Sequence, residues 1–201
     1  GCAPDVTRAV DLLVSVFEGG GKLLTCGNGG SAADSDHIVA ELMKGFNLPR
    51  SVPASVRQRL PALDGELADR LQGALPAISL AANGALLTAV ANDVAADMGF
   101  AQQVYGYGTN ADALLAISTS GNSTNVLNAA KVARALGLRT IGLTGRTGGR
   151  LAELCDVAIR VPADVTSEVQ ELHLPVYHAV CSMVEEWFFG GGVSGRRYNT
   201  P

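Results

Sequence analysis

The chain has 201 residues and a mass of 20.7 kDa, is 47% hydrophobic, 17% charged and 5% aromatic, and carries a formal charge of −4. That apolar content excludes a disordered chain, the acidic balance argues against a binder of nucleic-acid backbone, and no apolar run reaches the ~18 residues of a membrane span. Cys2, Cys26, Cys155 and Cys181 are widely separated and form no CxxC pair, which points to buried thiols in a reducing, cytoplasmic setting and not to a disulfide framework.

Nothing at the N-terminus reads as a signal peptide, because no basic region precedes an apolar stretch. Val6, Val10, Leu13, Val14 and Phe17 recur at helical spacing, and Gly19-Gly20-Gly21 ends that helix. Lys22–Cys26 is a short apolar run with a glycine turn behind it, the pattern of a buried strand. Comparable runs follow at 77–80, 114–117, 139–143 and 156–161. Each strand leads into a polar or glycine-rich turn, and helical stretches separate them. Short strands alternating with longer helices predict βαβ units, and hence a parallel sheet covered by helices on both faces. Residues 47–76, with Pro49, Pro53, Pro61 and Pro76, break the rhythm and read as an inserted excursion with a short helix near 63–74. The tail over 190–201 is glycine-rich and is expected to be flexible. The whole of 1–201 reads as one domain.

Two turns carry candidate chemistry. Gly27-Asn28-Gly29-Gly30-Ser31-Ala32 lies between a strand and a helix, where backbone can approach a ligand and free N–H groups face an anion. Its spacing also fits a loose dinucleotide fingerprint. That fingerprint requires an acidic residue about twenty positions on, and Phe46-Asn47-Leu48-Pro49 stands there instead. Ser118, Thr119, Ser120 and Ser123 follow a later strand and open another helix. A hydroxyl cluster at such a place is commonly only a cap, but four hydroxyls in six residues around Gly121 also suit a phosphate monoester without any lysine.

His37 and Glu41 are four residues apart, about 400° around a helix, so both project from nearly one face. A surface salt bridge has the same spacing. Gln170 and His178 lie eight apart on the last helix, with Pro175 between them removing a backbone donor and expected to kink it. Two imidazoles, a carboxylate and a weak amide oxygen form a donor set that zinc accepts. Asn92-Asp93 alone reads as a helix end or turn.

Taken together, Cys26 to Glu41, Asn92-Asp93, Ile117 to Ser123 and Gln170 to His178 resemble the sugar isomerase (SIS) family, in the order that family has them. Within it they look most like the phosphoheptose isomerase branch. The resemblance implies a three-layer α/β/α sandwich with a five-stranded parallel sheet, of the SIS or flavodoxin-like type. It implies aldose–ketose isomerisation of sedoheptulose 7-phosphate to a heptose 7-phosphate through an enediol, with Glu41 as base and His178 as acid–base partner. Zinc ligands then fall on His37, Glu41, Gln170 and His178, with His173 in a supporting position and no nucleotide cofactor. Substrate contacts fall on Asn28, Gly29, Gly30, His37, Glu41, Asn92, Asp93, Ser118, Thr119, Ser120, Ser123 and Gln170, the hydroxyl turn cradling the phosphate. A homotetramer with shared active sites is also implied, acting on a small sugar phosphate and not on nucleic acid or membrane. Some relatives keep the fold and the sugar site as non-catalytic regulatory or partner-binding modules. The presence of both Glu41 and His178 favours an enzyme over that alternative.

Overall fold

The computed structural model describes residues 1–60 and 66–191. Helix α1 (Ala3–Glu18) leads into β1 (Leu23–Cys26), and α2 (Gly30–Met43) follows the first glycine turn. The excursion contains two short helices, α3 (Ala54–Arg59) and α4 (Leu67–Arg70), before β2 (Ala77–Ser79). The chain then runs through α5 (Gly84–Asp93), α6 (Gly99–Tyr107), β3 (Ala113–Ser118) and α7 (Thr124–Ala135). It closes with β4 (Arg139–Thr144), α8 (Gly149–Leu154), β5 (Val157–Arg160) and α9 (Thr166–Phe189). Among the described residues no helix is long and apolar enough to cross a membrane.

The five strands form one parallel sheet in the order β2-β1-β3-β4-β5. Every residue of β1 and β3 is buried, as expected where helices cover both faces. Alternate strand residues divide between two cores. Leu23, Leu115, Ile117, Ile141 and Ile159 pack with α1, α2 and α9 on one face. Leu24, Cys26, Leu114 and Ala116 pack with α6, α7 and α8 on the other. The three-layer sandwich is therefore present, and its strands match the apolar runs to within a residue or two.

Strand order reverses between β1 and β3. In open parallel sheets such a reversal leaves a crevice at the C-terminal strand ends. The two turns singled out by sequence leave β1 and β3 at that crevice, so topology alone brings them together.

Three expectations need correction or placing. The excursion's helix is not a unit spanning 63–74: the described helices are 54–59 and 67–70, and residues 61–65 lie outside the described part. An isolated bridge between Ser51 and Gln72 closes the excursion at its base. Pro175, expected to kink the last helix, lies inside α9, which runs from Thr166 to Phe189. The tail predicted to be flexible lies, from residue 192 onward, outside the described residues.

Candidate active site

At the crevice, side chains of the two turns bind each other. Asn28 donates from Nδ2 to Asn125 Oδ1 at 2.9 Å, and Asn125 donates back to Asn28 Oδ1 at 2.8 Å. This reciprocal amide pair ties the turn after β1 to the first turn of α7. Asn28, a residue expected to meet sugar hydroxyls, thus shares its amide with Asn125, which periodicity does not single out. The hydroxyls of Ser118 and Ser123 lie 3.0 Å apart. Ser123, the residue before α7, makes no side-chain cap to that helix, and its hydroxyl turns to Ser118. Thr119 and Ser120 line the same turn, with Ser120 exposed. Gly121 has φ +65°, and a Cβ there would stand 2.0 Å from the Gly148 carbonyl oxygen. Only glycine lets this turn nest against the one after β4.

The second part of the site lies between α2 and α9. His37 Nε2 is 3.1 Å from Glu41 Oε1, as the four-residue spacing predicts, and Lys44 Nζ donates to Glu41 Oε2 at 3.1 Å. Glu41 itself is buried. The His37 and His178 rings meet edge to face with centroids 5.0 Å apart, and Phe46 lies 5.4 Å from the His178 ring. The Tyr177 hydroxyl is 3.0 Å from His37 Nδ1. The Tyr177 hydroxyl also bonds Asp34, and its one proton serves either Asp34 or His37, which sets the nitrogen of His37 that carries the ring proton. Burial, and then Asp34 beside it, raise the Tyr177 hydroxyl well above its ordinary value, which keeps it a donor. Burial also raises the Asp34 carboxyl, against the pull of Tyr177 and His37, and its Oδ2 is buried without a partner. Asp34, Lys44, Phe46 and Tyr177 were not picked out from sequence. Asp34, three residues before His37, and Lys44, three residues after Glu41, carry the available signal of helical spacing.

The remaining candidates are more scattered. Gln170 meets the first glycine turn: a Cβ on Gly30 would stand 2.6 Å from Gln170 Nε2. Two helical turns, ~12 Å of rise, separate Gln170 from His178 along α9. Asn92 and Asp93 end α5 on the exposed surface, where Asn92 Nδ2 donates to Asp93 Oδ1 at 2.8 Å. His173 is fully buried, and neither ring nitrogen makes a well-formed hydrogen bond. Burial lowers its pKa, with the Thr144 main chain opposing.

The four residues expected to hold zinc are thus not gathered equally. His37, Glu41 and His178 cluster, whereas Gln170 stands at the glycine turn. Among the described residues no three His, Cys, Asp or Glu side chains converge as a ready metal group. The donor chemistry nevertheless fits zinc. His178 Nε2 is buried and has no partner, beside a second imidazole and a carboxylate.

The family model of the SIS domain matches residues 3–74 and 58–145. The chain belongs to the SIS-domain family. This SIS domain is 41% identical over 185 residues to the phosphoheptose isomerase of Rhodospirillum rubrum, a match covering 92% of this chain and 87% of that protein. Among solved structures it is similar to a phosphoheptose isomerase from Francisella tularensis, with a TM-score of 0.76 and 34% identity. The phosphoheptose isomerase of Neisseria gonorrhoeae gives a TM-score of 0.75 at 34% identity. Each of these two structural matches covers 91% of this chain and 86% of the other. By relationship the SIS domain therefore falls among the phosphoheptose isomerases.

Proposed function

We propose that this SIS domain is an intramolecular aldose–ketose isomerase that converts sedoheptulose 7-phosphate to D-glycero-D-manno-heptose 7-phosphate. The observation that carries the reading is the cluster of Glu41, His37 and His178 between α2 and α9. Kinship with phosphoheptose isomerases over nearly the whole chain supports the substrate.

Isomerisation requires a proton to leave the carbon beside the carbonyl and return to its neighbour. Glu41, buried and held by His37 and Lys44, is the assigned base. His178 opens the ring and moves the proton between hydroxyl and carbonyl oxygens. The hydroxyls of Ser118, Thr119, Ser120 and Ser123, with the start of α7, hold the phosphate end. Gly29, Gly30 and Gln170 meet the sugar next to them. His37, Glu41, Gln170 and His178 are the residues that would hold zinc, and zinc, when bound, supplies Lewis-acid polarisation of the sugar oxygens.

The active form is a homotetramer in which neighbouring subunits complete one another's sites. Two features support this. Asn92 and Asp93 face outward, and Val94 beside them is 69% exposed. Leu174, Met183 and Trp187 leave apolar surface uncovered along α9. Four free cysteines support placement in the cytoplasm. The test is an isomerase assay with sedoheptulose 7-phosphate, before and after chelation and on return of zinc. Turnover that falls on chelation and returns with zinc is expected; no turnover under either condition would refute the proposal.

A further inference from the structure

Below the acid–base cluster lies an ion pair that the chemistry above does not use. The side chains of Arg50 and Glu185 are 0% and 1% exposed, and Arg50 Nε donates to Glu185 Oε1 at 2.8 Å. The other two guanidinium nitrogens turn to the end of α2. NH1 donates to the Leu42 carbonyl at 2.6 Å and NH2 to the Glu41 carbonyl at 2.8 Å. Glu185 in turn accepts three successive backbone N–H groups, from Phe46 at 2.8 Å, Asn47 at 2.7 Å and Leu48 at 3.2 Å. Those donors and Arg50 hold its carboxyl below the ordinary range despite burial, which pulls the other way.

Glu185 lies seven residues after His178, two turns along the same face of α9. One charged pair therefore touches three parts of the site. It grips the backbone of Glu41, it grips the backbone of Phe46, whose ring lies against His178, and it belongs through Glu185 to the helix that carries His178. An apolar pair of equal volume would leave the Phe46, Asn47 and Leu48 N–H groups and the Glu41 and Leu42 carbonyls without these partners, so filling the space does not by itself account for charge here. Directional bonding does. The planar guanidinium fork holds three acceptors from three separate nitrogens, a fixed spread that the single nitrogen of an ammonium group does not reproduce.

We propose that Arg50 and Glu185 are positioning residues that set Glu41 and the His178 ring relative to each other, and so act on the proton-transfer step and not on phosphate binding. The phosphate turn belongs to β3 and α7, away from this clamp. The inference rests on the isomerase reading, and wild-type turnover of sedoheptulose 7-phosphate is its control.

The test compares wild type with Arg50→Lys, which keeps the charge and removes the fork. Two quantities are read: kcat and KM for sedoheptulose 7-phosphate, and the ring resonances of the chain's three histidines by NMR without substrate. The expected result is a kcat about tenfold lower or less, with KM changed by no more than about twofold. The His178 resonance should move while that of the buried His173 stays. A variant with wild-type kcat and an unmoved His178 signal overturns the proposal, as does one that loses KM and kcat together. Absence of turnover in the wild type counts against the isomerase reading, and the His178 signal then decides the clamp alone. If Arg50→Lys does not fold, Phe46→Leu leaves the ion pair whole and removes the ring against His178. The same split between kcat and KM and the same resonance shift are expected, and their absence overturns the proposal.

Discussion

Gly30 and Gln170 show that a site residue can depend on the lack of a side chain elsewhere. The Gln170 amide occupies the space that a Cβ at position 30 would take. Because the displaced atoms end a flexible side chain, Gly30→Ala should cost little stability while moving the amide from its place. We expect a thermal midpoint near that of the wild type and turnover reduced about tenfold, read by melting and by steady-state assay. Ser120, exposed on the phosphate turn, tests the other end of the substrate. Ser120→Asp places a carboxylate where a phosphate is to sit, and like-charge repulsion should weaken sugar-phosphate binding about tenfold or more, measured by calorimetry. Unchanged affinity would remove this turn from the phosphate site.

At the scale of elements, what was legible followed from period and spacing. Strands buried on both faces appear as unbroken apolar runs, so β1, β3 and β4 could be read directly. The approach of His37 to Glu41 followed from the helical repeat alone. Contacts between distant segments have no such period. Asn125 on Asn28, Tyr177 on His37 and Phe46 on His178 are products of topology. The excursion was legible only as a break, because Pro49, Pro53, Pro61 and Pro76 interrupt its apolar residues, and Arg50, though inside it, is held by Glu185 far along the chain. Asp112 is a further case, joining the starts of β1 and β3. It accepts Lys22 N at 2.9 Å, Lys22 Nζ at 2.7 Å, and both the N–H and the hydroxyl of Thr109 at 2.8 Å. Burial pulls its carboxyl upward, but these donors outweigh it and hold the carboxyl below its ordinary 3.8. A lowered folded-state value means that the stabilisation is complete above the unfolded-state value and is lost as pH falls through the folded one. Asp112→Asn should therefore cost about 2 kcal/mol at neutral pH and flatten the fall in stability below pH ~4, both read from denaturation curves.

At the scale of the molecule, the proposed tetramer would complete each site from a neighbouring subunit. Asn92 and Asp93 point outward, and Met183 and Trp187 on α9 are 42% and 41% exposed. Assembly into four subunits predicts a mass of about four chains in sedimentation. It also predicts that Met183→Glu lowers both assembly and turnover; a fully active monomer would contradict the shared site. The centre of the account is narrower than the assembly. It is that Glu41, set beside His37 and His178, takes the proton from the sugar. The most direct measurement is conversion of sedoheptulose 7-phosphate by wild type and by Glu41→Gln, with circular dichroism showing that both are folded. The account predicts product from the wild type and none above background from the variant, whereas wild-type turnover by folded Glu41→Gln would contradict it.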